Sequence, residues 1–129
     1  VNTVTQGDER MKWNITADRP VYLQLIEQLE LAIVAGEYRA GARLPGVREM
    51  AAGAAVNPNT MQRALSALEA GGLIFSERTT GRFVTNNLEL IRKAKEELAK
   101  TNVKEFFSSM AELGYSAEDA ISMANELKE

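Results

Sequence analysis

The sequence predicts a mostly α-helical chain with one small β-hairpin, and three observations carry that prediction. Between Val47 and Ala70 two apolar periodicities of helical type are separated only by the tight turn at Val56-Asn57, with Pro58 directly after it. Two short apolar runs follow, Leu73-Ile74-Phe75 and Phe83-Val84, with Thr80-Gly81 between them, the pattern of two strands and a turn. From Leu88 onward helical spacing returns and holds, broken once at Gly114. Two short helices, a tight turn and a hairpin make a winged helix-turn-helix, followed here by a helical dimerisation tail. The expected divisions are a flexible lead-in over 1–12, the winged domain over 13–85 and the helical region over 86–129.

Each element has its own signals. Val1 to Lys12 is polar and without clear period, with Met11 a candidate for the natural start. Asp18-Arg19-Pro20 starts the first helix, with Asp18 or Arg19 near the cap and Pro20 in the first turn. Tyr22, Leu25, Ile26, Leu29 and Ile33 form its continuous core stripe, and Gly36 ends it. Gly41 and Pro45 punctuate the loop from Glu37 to Gly46, in which Arg43 and Leu44 start or join a short strand. The second helix runs from about Val47 to Ala55, with Val47, Met50, Ala51 and Ala54 inward. The third runs from about Pro58 to Ala70: Asn57 is a good N-cap, Pro58 loses nothing at the first helical position, and Gly71-Gly72 close the segment. Met61, Leu65 and Leu68 face inward.

Beyond the hairpin, Asn86 or Asn87 caps a long helix from about Leu88 to Leu113. Ile91, Ala94, Leu98, Val103, Phe106, Met110 and Leu113 keep a mostly apolar stripe along it, and Gly114 stops it. Ser116 caps a last helix, with Asp119 at the capping-box position and Ala120, Ile121, Ala124 and Leu127 on its apolar side.

Function is concentrated on the third helix. Asn59, Gln62, Arg63 and Ser66 stand at i, i+3, i+4 and i+7 on a face distinct from the core stripe. Amides can pair with adenine, guanidinium with guanine or phosphate, and hydroxyls with either. A solvated helix face is the bland alternative for an isolated helix; the helix in front and the hairpin behind weigh against it. The net charge of −3 also needs dividing. Residues 1–35 hold 3 basic and 5 acidic side chains, 36–85 hold 6 and 4, and 86–129 hold 6 and 9. All six cations of the positive middle segment are Arg (39, 43, 48, 63, 78 and 82), the residue suited to bidentate recognition of phosphate and guanine.

Other classes are disfavoured. With no Cys and no His, a disulfide framework and Ser-His or Cys-His catalysis are excluded, an ordinary zinc site is nearly so, and no cofactor is indicated. The carboxylate pairs Glu96-Glu97 and Glu118-Asp119 lie on solvent-rich helix stretches and point to different faces, so no catalytic residue is assigned and no enzyme is expected. No apolar run approaches a membrane span and no signal peptide opens the chain, which implies a cytoplasmic protein.

The order L-P-x-V-R-E-x-A, V-N-P-N-T-x-x-R-A, L-E-x-x-G-L-I and G-x-F-V resembles the winged helix-turn-helix of the GntR family of bacterial transcription regulators, over about Pro20 to Thr85. Position by position, the resemblance implies DNA contacts from Arg43, from Arg48 on the second helix, and from Asn57, Asn59, Thr60, Gln62 and Arg63 at the recognition helix. The wing adds Gly81 and Arg82. Three departures stand out. Gly46 replaces the frequent Ser, so the second helix lacks a side-chain N-cap. Ala54-Ala55 replaces a bulky residue and Gly, so an Ala meets a left-handed position at roughly 1 kcal/mol. Thr79-Thr80-Gly81 replaces the common Gly-Lys-Gly of the wing tip, with Arg78 and Arg82 able to supply the missing cation.

A two-helix tail cannot bury its stripe by folding on itself, so Ile91, Leu98, Val103, Phe106, Phe107, Met110 and Leu113 are expected at a dimer seam. Packing of the stripe on the chain's own DNA-binding domain is the competing arrangement. From Asn86 the tail has 44 residues, too few for the larger effector domains of most GntR branches and similar to the YtrA-like branch. A small-molecule effector could lodge among Phe106, Phe107, Met110 and Tyr115, although packing is the commoner use of such residues. The expected function is a homodimeric repressor on an inverted-repeat DNA operator; the alternative is a winged helix serving a protein partner without DNA.

Overall fold

In the computed structural model, which describes residues 11–128, helix α1 spans Val21–Val34. Pro20 itself is the N-cap and offers no side-chain bond, so the cap expected from Asp18 or Arg19 is not formed. Asp18 instead accepts from the Thr16 hydroxyl, and Arg19 pairs with Glu27 at 2.6 Å. Ala35 and Gly36 close the helix, Gly36 at φ +88°, where a Cβ is disfavoured.

The segment before α1 is laid along it by two glutamines. The buried Gln24 amide donates to the Thr16 and Arg19 carbonyls at 2.8 and 2.9 Å and accepts from the Thr16 N–H at 2.8 Å. Gln28 does the same for Asn14, accepting its N–H at 3.0 Å and donating to its carbonyl at 2.8 Å. With the backbone of residues 14 and 16 so engaged, the alternate side chains Met11, Trp13 and Ile15 pack partly buried against the core. Of the lead-in read over Val1–Lys12, residues 1–10 lie outside the described residues, and Met11 belongs to the packed structure.

Helices α2 (Val47–Ala54) and α3 (Pro58–Ala70) follow, joined by Ala55, Val56 and Asn57. Gly46 caps α2 in extended conformation with no side-chain bond, and Ala55 takes the left-handed conformation at φ 58°, ψ 47°, both as the family departures imply. Asn57 caps α3 by accepting the Asn59 N–H at 2.7 Å, with Pro58 at the first helical position. Helices α1, α2 and α3 close one core around Leu25, Leu29, Ile33, Met50, Met61, Ala64, Leu65 and Leu68. Tyr38, fully buried in the α1–α2 loop, is a core residue that periodicity did not reveal, because it lies in no helix.

Strands β1 (Ile74–Glu77) and β2 (Gly81–Val84) pair antiparallel, with Phe75 opposite Phe83 and Ser76 opposite Arg82. Gly81 therefore opens β2 and the connection is Arg78–Thr80, one residue earlier than the expected Thr80-Gly81 turn. Residues 42–44 add a third short rung: Arg43 bridges to Phe83, Leu44 N–H donates to Arg82 at 2.9 Å and Val84 N–H to Ala42 at 2.8 Å. Ile74 and Val84 turn one face of the wing into the core.

Helix α4 spans Leu88–Glu112 and is capped by Asn87, whose Oδ1 accepts the Leu90 N–H at 3.1 Å. The chain divides into two units, one ending at Lys95 and one beginning at Glu96, so the first turns of α4 belong to the winged unit. There Leu90, Ile91 and Ala94 pack partly buried against its core. Ile91, also expected at the dimer seam, packs partly buried against the chain's own first unit, since Asn87 starts the helix directly behind the wing.

In the second unit, Gly114 at φ +98° ends the helix and α5 spans Ala117–Leu127. Its capping box is complete, with Asp119 N–H donating to Ser116 Oγ at 3.1 Å and Ser116 N–H to the Asp119 carboxylate at 3.4 Å. Among the described residues from Glu96 on, Ala120 alone is fully buried. No helix of the described residues is long and apolar enough to cross a membrane.

Candidate nucleic-acid interface

The inward positions of α3 determine which way its other face looks. With Met61, Ala64, Leu65 and Leu68 buried, Asn59, Gln62, Arg63 and Ser66 are all exposed, and Thr60 is half-buried beside them. Asn57 spends its carbonyl oxygen on the cap, so its side chain is held at the helix start. Arg48 on α2 is also exposed, and neither the Arg48 nor the Gln62 side chain makes a hydrogen bond or ion pair among the described residues. Amide and guanidinium groups that are solvent-facing and uncommitted can exchange water for base edges at little cost.

The remaining expected residues are held by intramolecular contacts. Arg43 Nε donates to the Thr80 carbonyl at 2.7 Å, and its guanidinium lies over Gly81, where a Cβ would come within 3.2 Å of Nε. Gly81 has φ +115°, so both backbone conformation and the close approach call for Gly. Arg82 Nε donates to Glu69 Oε1 at 3.3 Å, which ties β2 to the last turn of α3. Ser76 lies opposite Arg82 in the hairpin. The nearby Ser76 hydroxyl, joined by the Arg82 cation, favours the ionised Glu69 carboxyl and holds it below its usual range despite some desolvation. Arg63 rests on α1, its Cζ 3.5 Å from the centroid of the Tyr22 ring.

Glu69 and Tyr22 are the residues that sequence reasoning missed at this face. Tyr22 was visible only as part of the core stripe, and nothing local marks Glu69 as a partner of a residue 13 positions later. Among the described residues no group of His, Cys, Asp and Glu is placed to hold a metal.

The arrangement, a recognition-type helix presenting a polar row beside a wing whose cations are fixed in place, defines a winged helix-turn-helix DNA-binding protein. A model of the gntR family of bacterial regulatory proteins matches residues 21–84. The chain is 35% identical over 105 residues to the HTH-type transcriptional regulator YhcF of Bacillus subtilis, covering 81% of this chain and 87% of that one. It is 32% identical over 87 residues to the HTH-type transcriptional repressor YtrA of the same organism, 67% of each chain. A solved GntR family transcriptional regulator from Listeria monocytogenes superposes with a TM-score of 0.80 at 33% identity, covering 88% of this chain and all of that one. The chain belongs to the GntR family and is a DNA-binding transcriptional regulator, not an enzyme.

Proposed function

We propose that the chain acts as a homodimeric repressor that occupies an inverted-repeat operator. The observation that carries this reading is the exposed row Asn59, Gln62 and Arg63 on α3, flanked by the uncommitted Arg48 and by a wing braced through Arg43 and Arg82. Each protomer lays α3 in a major groove, with Asn59, Gln62 and Arg63 at base edges or nearby phosphates and Arg48 reading an adjacent base. Asn57, Thr60, Arg43 and the wing residues Gly81 and Arg82 grip the backbone.

The dimer reading draws on the second unit. Val103, Phe106, Met110 and Leu113 recur at spacings of 3, 4 and 3, the rhythm of a helix–helix seam, and Phe106 packs against Phe107 at 5.4 Å between ring centroids. Val103, Phe106 and Leu113 remain 51%, 39% and 73% exposed in the single chain, an apolar surface that a second copy would cover together with Leu98 and Phe107. Twofold pairing would set two recognition helices about 34 Å apart, one turn of B-DNA. The similarity to a protein named as a repressor favours repression by operator occupancy. An effector among Phe106, Phe107, Met110 and Tyr115 would act on the same seam, and the chain would work in the cytoplasm.

Selection of bound fragments from a random duplex library, followed by titration at two salt concentrations, tests the proposal. The expected result is an enriched inverted repeat bound by two protomers with a steep salt slope. An asymmetric single site bound by one protomer would overturn the dimer, and no enrichment by folded protein would favour a protein partner for the winged helix.

A further inference from the structure

Three arginines of the interface are held before DNA arrives, and they are held differently. Arg43 and Arg82 are tied through their N–H edges, to the Thr80 carbonyl and the Glu69 carboxylate. Arg63 is tied through its face. Its Cζ lies 3.5 Å from the Tyr22 ring centroid, van der Waals contact with the electron-rich side of the ring, and it makes no hydrogen bond or ion pair among the described residues. A guanidinium carries all of its donors in its own plane, so stacking restrains the group without consuming one of them.

The packing of α1 on α3 creates this contact. Leu25 and Leu29 of α1 and Met61 and Leu65 of α3 are buried in the same core, which fixes the two helices against each other. Tyr22 stands one turn before Ile26 at the open end of that seam, half-buried, and Arg63 stands two residues after Met61, exposed. The ring is therefore a platform whose position is set by the core, under a side chain that would otherwise lose several rotamers on binding.

We propose that Tyr22 is a positioning residue for base readout: its ring holds the Arg63 guanidinium so that the free donor edge is presented to the O6 and N7 of a guanine in the major groove. This rests on the operator reading given above. It makes α1, which lies outside the helix-turn-helix, a determinant of sequence preference. Loss of a contact of this kind corresponds to about a three- to tenfold loss of affinity.

The test is a double-mutant cycle on the best duplex from the library selection and on a random duplex. Tyr22→Leu should weaken binding to the selected duplex about three- to tenfold, leave random DNA unchanged, and relax preference at the guanine that Arg63→Ala also relaxes. Tyr22→Phe should behave as wild type, and Tyr22→Leu should add nothing in an Arg63→Ala background. Thermal unfolding checks that each variant is folded, with Tyr22→Met as a second apolar replacement. In the free wild-type protein, the Arg63 side-chain protons should also show an upfield ring-current shift in the NMR spectrum. Additive losses, equal losses on both duplexes, or unshifted Arg63 protons would overturn the platform. Wild-type protein that fails to distinguish the two duplexes would overturn the operator reading and the platform with it, whereas normal discrimination by Tyr22→Leu would overturn the platform alone.

Discussion

Ala55 adopts φ 58°, ψ 47°, and is the only non-glycine among the described residues with positive φ. For an L residue this conformation costs about 1–2 kcal/mol, partly offset because Ala has less backbone freedom to lose than Gly. Ala55→Gly should therefore raise stability in urea titrations by about 0.5–1 kcal/mol while leaving DNA affinity unchanged. Gly46 presents the complementary case. Its extended conformation suits a side-chain cap and a Cβ there meets nothing within 4 Å, so Gly46→Ser should add a few tenths of a kcal/mol. Arg48 has no partner among the described residues to lose on substitution. Arg48→Ala should leave stability unchanged yet cost about 1–3 kcal/mol on the selected operator, with a smaller loss on random DNA; equal losses would show a phosphate contact instead.

Among the elements, the joint between α3 and the wing decides whether helix and hairpin reach DNA as one surface. Glu69 accepts from Arg82 on β2, and Arg43 braces the turn at Thr80. Because folded Glu69 titrates below the unfolded carboxyl, its contribution is complete above the unfolded range and is lost as pH falls through the folded value. Glu69→Gln should accordingly flatten the decline of stability over that acidic window, measured by urea titration at successive pH values. Its cost near neutrality should be at most about 1 kcal/mol, as for a partly exposed pair. At the wing tip, Gly81→Ala would strain the backbone and push against Arg43. The expected outcome is a folded protein with weaker binding to every duplex and a salt slope reduced by about one unit per protomer.

At the scale of the whole molecule, the well-filled core of the described residues lies in the first unit. The second unit exposes Val103, Phe106, Leu113, Tyr115, Ile121 and Leu127, and the first three belong to the surface that the proposed dimer would cover. Phe106→Asp should convert the proposed dimer to a monomer in analytical ultracentrifugation without altering the melting of the winged unit. Operator affinity should then fall by about 100-fold or more, because two linked half-sites become independent. A variant that stays dimeric would move the seam elsewhere.

The parts of this protein legible in its sequence are those specified by neighbours a few residues apart. Asn57-Pro58 and Gly71 set the limits of α3 at Pro58–Ala70, Ser116 and Asp119 set the start of α5, and the apolar stripes separated the core from the polar row of α3. Caps and periodicity act through hydrogen bonds and faces within one or two turns, so local order suffices to declare them. Tertiary structure alone decided the rest: the burial of Tyr38 in a loop, Gln24 and Gln28 binding the preceding segment, residues 42–44 joining the wing, Ile91 packing against the first core, Glu69 meeting Arg82, and Tyr22 lying under Arg63. Each of these joins groups that lie on different elements or in a loop without period. Which polar atom meets which is set only when the packed core brings those elements to a fixed distance.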